Sequence, residues 1–223
     1  MPVLNEKPPR ARFRHRVLAL REQAVISTVY RLLATKGYDA MTVDEVAAEV
    51  GIAKASLYKH FASKEQLAAA AMVAAIEDGL RFLEGLDGAA EVSAYQRLER
   101  VAEWLMQRKL AGEMPNLPAR NSVLRQVLLA DSAYMNALMN VSELLSGWIA
   151  QAQAEREIDP ALPPLVVLYT LYARACDPVL EFLADSGLYS HAQIVALVMR
   201  TCFHGLRAAP GSGPSSAAPA PDA

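Results

Sequence analysis

Lys54, Ala55 and Ser56 stand in a row, and Tyr58, Lys59, His60 and Lys64 follow within ten residues. The chemistry these side chains carry is contact with nucleic acid rather than bond making. A lysine ammonium donates to guanine acceptors, a serine hydroxyl pairs with several base edges, and an alanine methyl suits a thymine methyl. Tyr58, Lys59, His60 and Lys64 offer donors to phosphate oxygens, contacts that fix register without reading sequence. Each has a plainer alternative: a packed aromatic for Tyr58, a helix-terminal surface histidine for His60, and ordinary solvated lysines at 59 and 64.

Catalytic constellations are missing. His191 and His204 are thirteen residues apart, no HExxH or His/carboxylate cluster occurs, and no glycine-rich phosphate loop is present. Cys176 and Cys202, the two cysteines, lack CxxC spacing, so they read as small core residues rather than a zinc module or disulfide framework. Neither an enzymatic activity nor a cofactor nor a metal is expected.

Charge is distributed unevenly along the chain. Residues 1–64 hold 11 Lys/Arg against 6 Asp/Glu, a net of +5, whereas the remainder holds 11 against 18, a net of −7. A basic module preceding an acidic one is a plausible electrostatic footprint for DNA, even though the whole chain carries −2. No run of about 18 apolar residues is free of charge, and no apolar stretch of signal-peptide length follows the basic N-terminus, so a cytoplasmic protein without a membrane partner is expected.

The elements that must position these side chains read as helices throughout. Over Val17 to Lys36, Leu20, Ala24, Val25, Thr28, Leu32 and Leu33 recur at three and four residues, and Gly37 supplies a stop. Thr42 and Glu45 match a capping box, with Val43, Val46, Ala47 and Val50 as the apolar face of a short helix that Gly51 ends. Ile52 is suited to plug the space between helices. A third helix, roughly Lys54 to Phe61, puts Leu57 and Phe61 on one face and the polar residues on others. Two helices joined by a glycine-containing turn are the pattern of a helix-turn-helix, whose second helix places its N-terminal residues nearest the bases. Ser63 and Gln66 then cap a long alanine-rich helix reaching about Leu86.

Further helical patterns cover about Val92 to Leu110, Asn121 to Arg156, Pro164 to Ala184 and Ser190 to Ala208. Pro178 should bend or open the third of these. No stretch sustains two-residue alternation, so the expected fold is all-α. An Arg-rich, Pro-containing stretch over 1–16 reads as a flexible basic arm, and the Pro/Gly/Ser/Ala-rich 209–223 as a disordered tail.

The run TVDEVAAEVGIAKASLYKHFASKEQL, Thr42 to Leu67, closely resembles the TetR/AcrR family of bacterial transcriptional regulators, above all in LYKHFASKEQL. The resemblance is strong from about Ala19 to Met72 and one of architecture beyond. It implies a three-helix DNA-binding domain over 17–64 and a helical effector-binding and dimerisation domain over 65–208. By position, Thr42, Tyr58, His60 and Lys64 match residues that touch phosphates, while Lys54, Ala55 and Ser56 match base-reading positions. Asp44 stands where some family members place a basic contact, so that contact is not carried over.

The resemblance further implies a homodimer on a palindromic operator in double-stranded DNA, released by a small-molecule effector. The two last helical stretches would form the interface, with Leu165, Leu168, Leu171 and Tyr172 in one and Ile194, Leu197, Val198 and Cys202 in the other; a core within one subunit would look alike. Phe82, Trp104, Met135, Leu138, Met139, Trp148, Tyr169 and Tyr172 are candidate pocket linings, since large adaptable side chains commonly enclose partly apolar ligands. Arg174, Asp177 and Asn140 are candidate polar anchors. For each, a core or surface position is the alternative.

Overall fold

The computed structural model describes residues 9–88, 91–115, 118 and 121–206, with side chains over 17–205 of these. Among these residues the elements are all helical: α1 (Pro9–Ala40), α2 (Val43–Val50), α3 (Lys54–Leu57), α4 (Lys64–Asp87), α5 (Ala94–Leu110), α6 (Val123–Ala130), α7 (Ser132–Ala154), α8 (Pro164–Ala173), a 3-10 turn (Arg174–Cys176), α9 (Pro178–Asp185) and α10 (His191–Leu206). The all-α expectation stands.

Two compact units divide the chain, and they do not follow chain order. The first combines Met1–Glu84 with Ala111–Val141, and the second combines Gly85–Leu110 with Ser142–Ala223. Thus α6 and the start of α7 pack with the helix-turn-helix, although they come more than fifty residues after it.

In the first unit α1 turns Val25, Val29, Leu32 and Leu33 inward, each at most 3% exposed. It begins at Pro9, eight residues before the start expected from the sequence. Proline is pre-organised for a first helical turn and arginine is a good helix former, so the Arg-rich stretch from residue 10 to 16 extends the helix. Residues 1–8 and 207–223, which include the tail, lie outside the described residues. Gly37 interrupts α1 with φ 77° and ψ 171°, a conformation that side chains disfavour.

α2 is bounded as its sequence requires. Thr42 Oγ1 accepts the Glu45 N–H at 3.2 Å. At the other end Gly51 is left-handed at φ 73°, its N–H reaching Ala48 O and that of Ile52 reaching Ala47 O at 3.0 Å. This pair of bonds is a Schellman cap, and Ile52 closes it by packing on the apolar cluster. That cluster gathers Val43, Val46 and Ala47 from α2, Leu57 from α3, Leu67, Ala68, Ala71 and Met72 from α4, and Leu124, Leu128 and Tyr134 from α6 and α7.

The pattern read as one helix over 121–156 is two. Asp131 takes an extended backbone, φ −82° and ψ 115°, and its Oδ1 accepts the Tyr134 N–H at 2.9 Å. An aspartate that caps a new helix competes with continuation of the old one.

In the second unit α5 buries Ala94, Leu98, Val101, Ala102 and Met106 against α8, α9 and α10. Tyr95 meets Phe203 edge-on at 5.5 Å and donates to its carbonyl at 3.3 Å. The pattern read as one helix over 164–184 is two: α8 gives way to the 3-10 turn, and Pro178 begins α9 with Asp177 as cap accepting the Val179 N–H at 3.0 Å. Asp177 is 7% exposed and pairs with Arg174 at 2.8 Å. Cys176 and Cys202 are free and half-buried, at the edge of the core rather than inside it. Burial pushes both thiols above their usual range.

Candidate nucleic-acid interface

α3 is built around one anchored side chain. Leu57 is 2% exposed, and Phe61 packs partly buried on the same cluster. That fixes the opposite side outward: Lys54, Ala55, Tyr58, Lys59 and His60 are exposed and Ser56 is half-buried. The regular helix ends at Leu57 rather than Phe61. Tyr58–His60 tighten into a turn in which the His60 and Phe61 N–H groups both bond Leu57 O, at 3.0 and 2.9 Å, and Phe61 swings onto the core.

Thr42, Lys54, Ala55, Ser56, Tyr58, Lys59, His60 and Lys64 all belong to the first unit. Lys54 Nζ lies 2.8 Å from Asp44 Oδ2, and this hydrogen bond holds its pKa above the usual lysine range. Ser63 Oγ accepts the Gln66 N–H at 3.2 Å, and Gln66 Oε1 reaches back to the Ala62 N–H at 2.9 Å. Lys64 is thereby set at the first turn of α4. Its Nζ sits 4.3 Å from the centre of the Tyr38 ring and donates to Asp39 O at 3.4 Å.

Tyr38 and Glu65 are the residues that sequence reasoning passed over. Tyr38 Oη donates to Glu65 Oε1 at 2.5 Å. Burial first, then this carboxylate, push the phenol well above its usual range; the bond in return holds Glu65 below the usual carboxylate range. The only available signal was the position of Tyr38 just past Gly37, at the foot of α1. Around this core of contacts Lys36 pairs with Glu45 and Arg31 with Glu49.

The candidate ligand residues fall in both units. Phe82, Met135, Leu138 and Met139 lie in the first, Trp104, Trp148, Tyr169 and Tyr172 in the second. Tyr169 is 62% exposed, Met139 stands on the surface, and Trp148 is buried with its Nε1 donating to Asp87 Oδ1 at 2.9 Å. Tyr172 and Ser142 hydroxyls are 2.7 Å apart. Of the polar anchors, Arg174 and Asp177 hold each other and Asn140 is exposed. A groove of about 700 Å³ in the second unit runs between α5 and α10, and none of the eight candidates lines it. Its walls are mixed: Arg100, Glu103 and Gln107 face His191, Val195 and Met199.

The interface residues expected in the last two helical stretches divide: Leu168, Leu171, Ile194 and Val198 are core within this subunit, Tyr172 and Cys202 are half-buried, and Leu165 and Leu197 are exposed. Val166 and Tyr169 on α8 and Val179 and Phe182 on α9, outside that expected set, are exposed as well. Helical spacing alone does not tell an inner face from an outer one when both are apolar.

Residues 25–71, the span that holds every element of this interface, match the family model described as bacterial regulatory proteins, tetR family. Over that span the chain resembles TetR-family regulators. Its match to the HTH-type transcriptional regulator YerO of Bacillus subtilis is 47% identical over 47 residues, 21% of this chain and 16% of that protein. Against the biofilm operon icaADBC negative transcriptional regulator IcaR of Staphylococcus aureus it is 46% over 43 residues, 19% and 23% of the two chains. The chain therefore spans less than a quarter of the length of these curated relatives. The TetR-type two-domain fold extends further. The fatty acid degradation regulator FadR of Bacillus halodurans superposes with a TM-score of 0.65 at 16% identity, covering 83% of this chain and 99% of that one. FadR of Bacillus subtilis, in complex with stearoyl-CoA, gives 0.59 at 18%, covering 82% and 95%. AibR, in complex with isovaleryl coenzyme A and operator DNA, gives 0.53 at 20%, covering 82% and 98%. At these identities the TetR likeness is one of fold.

Proposed function

We propose that this chain is a homodimeric transcriptional repressor that binds a palindromic operator in double-stranded DNA and leaves it when a partly apolar small molecule binds. The observation that carries the reading is the outward set Lys54, Ala55, Ser56 and Tyr58, held by the buried Leu57 within a TetR-family module. Lys54 and Ser56 read base edges, Ala55 offers its methyl, and Thr42, Tyr58, Lys59, His60 and Lys64 hold phosphates.

A second copy covers the apolar residues that α8 and α9 leave exposed. Such a pair presents two α3 helices, which must sit about 34–36 Å apart to enter successive major grooves. The effector favours a dimer with another spacing, and α4 carries the chain from the reading unit into the second one. Ligand need only bind the two states unequally. Trp104 and Tyr172, half-buried in the second unit, are the linings to test first, and the ligands found with two fold relatives make acyl-CoA thioesters the first class to try. No described helix is long and apolar enough to cross a membrane, and the repressor acts in the cytoplasm, without enzymatic activity.

Selection of bound sequences from random duplex DNA at two salt concentrations tests the reading. A palindromic site bound more weakly at high salt supports it. Absence of any enrichment, with or without acyl-CoA thioesters, refutes it.

A further inference from the structure

Asp44 is a carboxylate set beside the candidate base-reading residue Lys54. It stands in the first turn of α2 with its side chain 72% exposed, and its carboxylate reaches 2.8 Å to Lys54 Nζ at the start of α3. Near phosphates an unpaired carboxylate is repelled, and as a stabilising ion pair so exposed a contact is worth little. Its effect must therefore be sought in what it does to Lys54.

We infer that Asp44 is a specificity-determining residue, which holds Lys54 for base reading and withholds its charge from indiscriminate phosphate contact. The inference depends on the DNA-binding reading above. An ammonium has three donors. One goes to Asp44, leaving two for the acceptors of a guanine at a fixed position. On random DNA the neutralised pair contributes no net charge to phosphate binding, so the weak, sequence-independent mode is penalised more than the specific one. The pair is readable only from the fold, because ten residues and the Schellman turn at Gly51 separate its members.

The test compares the full-length protein with Asp44→Asn, on the selected operator and on random duplex, across a salt series. Glu84→Gln, an exposed carboxylate about 30 Å along α4 from Lys64, controls for net charge. Asp44→Asn should tighten binding to random duplex about fivefold, steepen its salt slope by about 0.9, and lower the operator-to-random ratio by a similar factor. In a Lys54→Ala background the same change should leave the ratio untouched. An unchanged ratio in Asp44→Asn, a rise in both affinities matching Glu84→Gln, or a fall in the ratio that persists without Lys54 would each overturn the inference. Wild-type protein that selects no sequence sinks the DNA-binding reading and this inference together, whereas selection by wild type with no effect of Asp44→Asn sinks this inference alone.

Discussion

The Lys64 ammonium stands 4.3 Å from the centre of the Tyr38 ring while the hydroxyl of that ring donates to Glu65, the residue next to Lys64. One aromatic side chain at the foot of α1 thus fixes both first residues of α4. Removing only the hydroxyl separates the two effects. Tyr38→Phe keeps the ring beneath Lys64 and loses the bond to Glu65, at a cost of up to about 1 kcal/mol for a pair so open to solvent. The sign with pH follows from Glu65. Its folded pKa is depressed, so the bond stabilises above the ordinary carboxylate pKa of about 4.5, and that contribution is lost as pH falls through the folded value. Urea unfolding should show a wild-type advantage at pH 7 that narrows below pH 4 to 5.

Lys54→Ala and Lys64→Ala should weaken DNA binding in different ways. Loss of a base contact costs about 1–3 kcal/mol and relaxes selection at one position, whereas loss of a phosphate contact lowers affinity on all sequences and reduces the salt slope by about 1. Tyr58→Ala should resemble Lys64→Ala. Binding titrations on the operator and its single-base variants separate these outcomes, and equal behaviour of Lys54→Ala on every variant would remove it from base reading.

Gly51→Ala isolates a backbone effect. A methyl group there meets nothing within 4 Å, so the whole cost is that of holding alanine at φ 73°. About 1 kcal/mol is expected, which for a chain of this size lowers Tm by about 2–4 °C. A melting curve identical to wild type would mean that the turn relaxes.

Phe182 is 73% exposed on α9 and touches the question of assembly. If the proposed dimer forms through α8 and α9, Phe182→Asp should convert it to monomer in light scattering with the helical circular dichroism intact, because a charge buried without a partner at an interface is costly while at a free surface it is harmless. A dimer of undiminished stability would place the interface elsewhere.

Signals confined to one turn of chain were legible in the sequence. Thr42 and Gly51 bound α2, and Pro178 opens α9, because capping and φ are decided within a few residues. The break at Asp131 was not legible: Leu124, Leu128, Leu138 and Leu145 continue at helical spacing across it, and only the side-chain bond to Tyr134 decides. Leu168 and Leu165 share a helix and a hydrophobicity, yet one is core and the other exposed, since burial depends on neighbours far along the chain. The same holds for the candidate interface. Leu57 lies inward and Lys54 outward as helical spacing predicts, but the partners that set the positions of Lys54 and Lys64, Asp44 and Tyr38, come from other helices.

Leu124, Leu128 and Tyr134 belong to the same apolar cluster as Val29, Val46 and Leu57, so the helix-turn-helix is not a portable cassette. A fragment ending at residue 64 would leave part of its interior open to water. During synthesis on a ribosome the first helices must wait for about seventy more residues, roughly 4–14 s at ordinary elongation rates, before their last packing partners emerge. Transplanting α2 and α3 onto another chain would accordingly require α6 and the head of α7 to travel with them, and a chimera cut at the apparent end of the motif should be aggregation-prone.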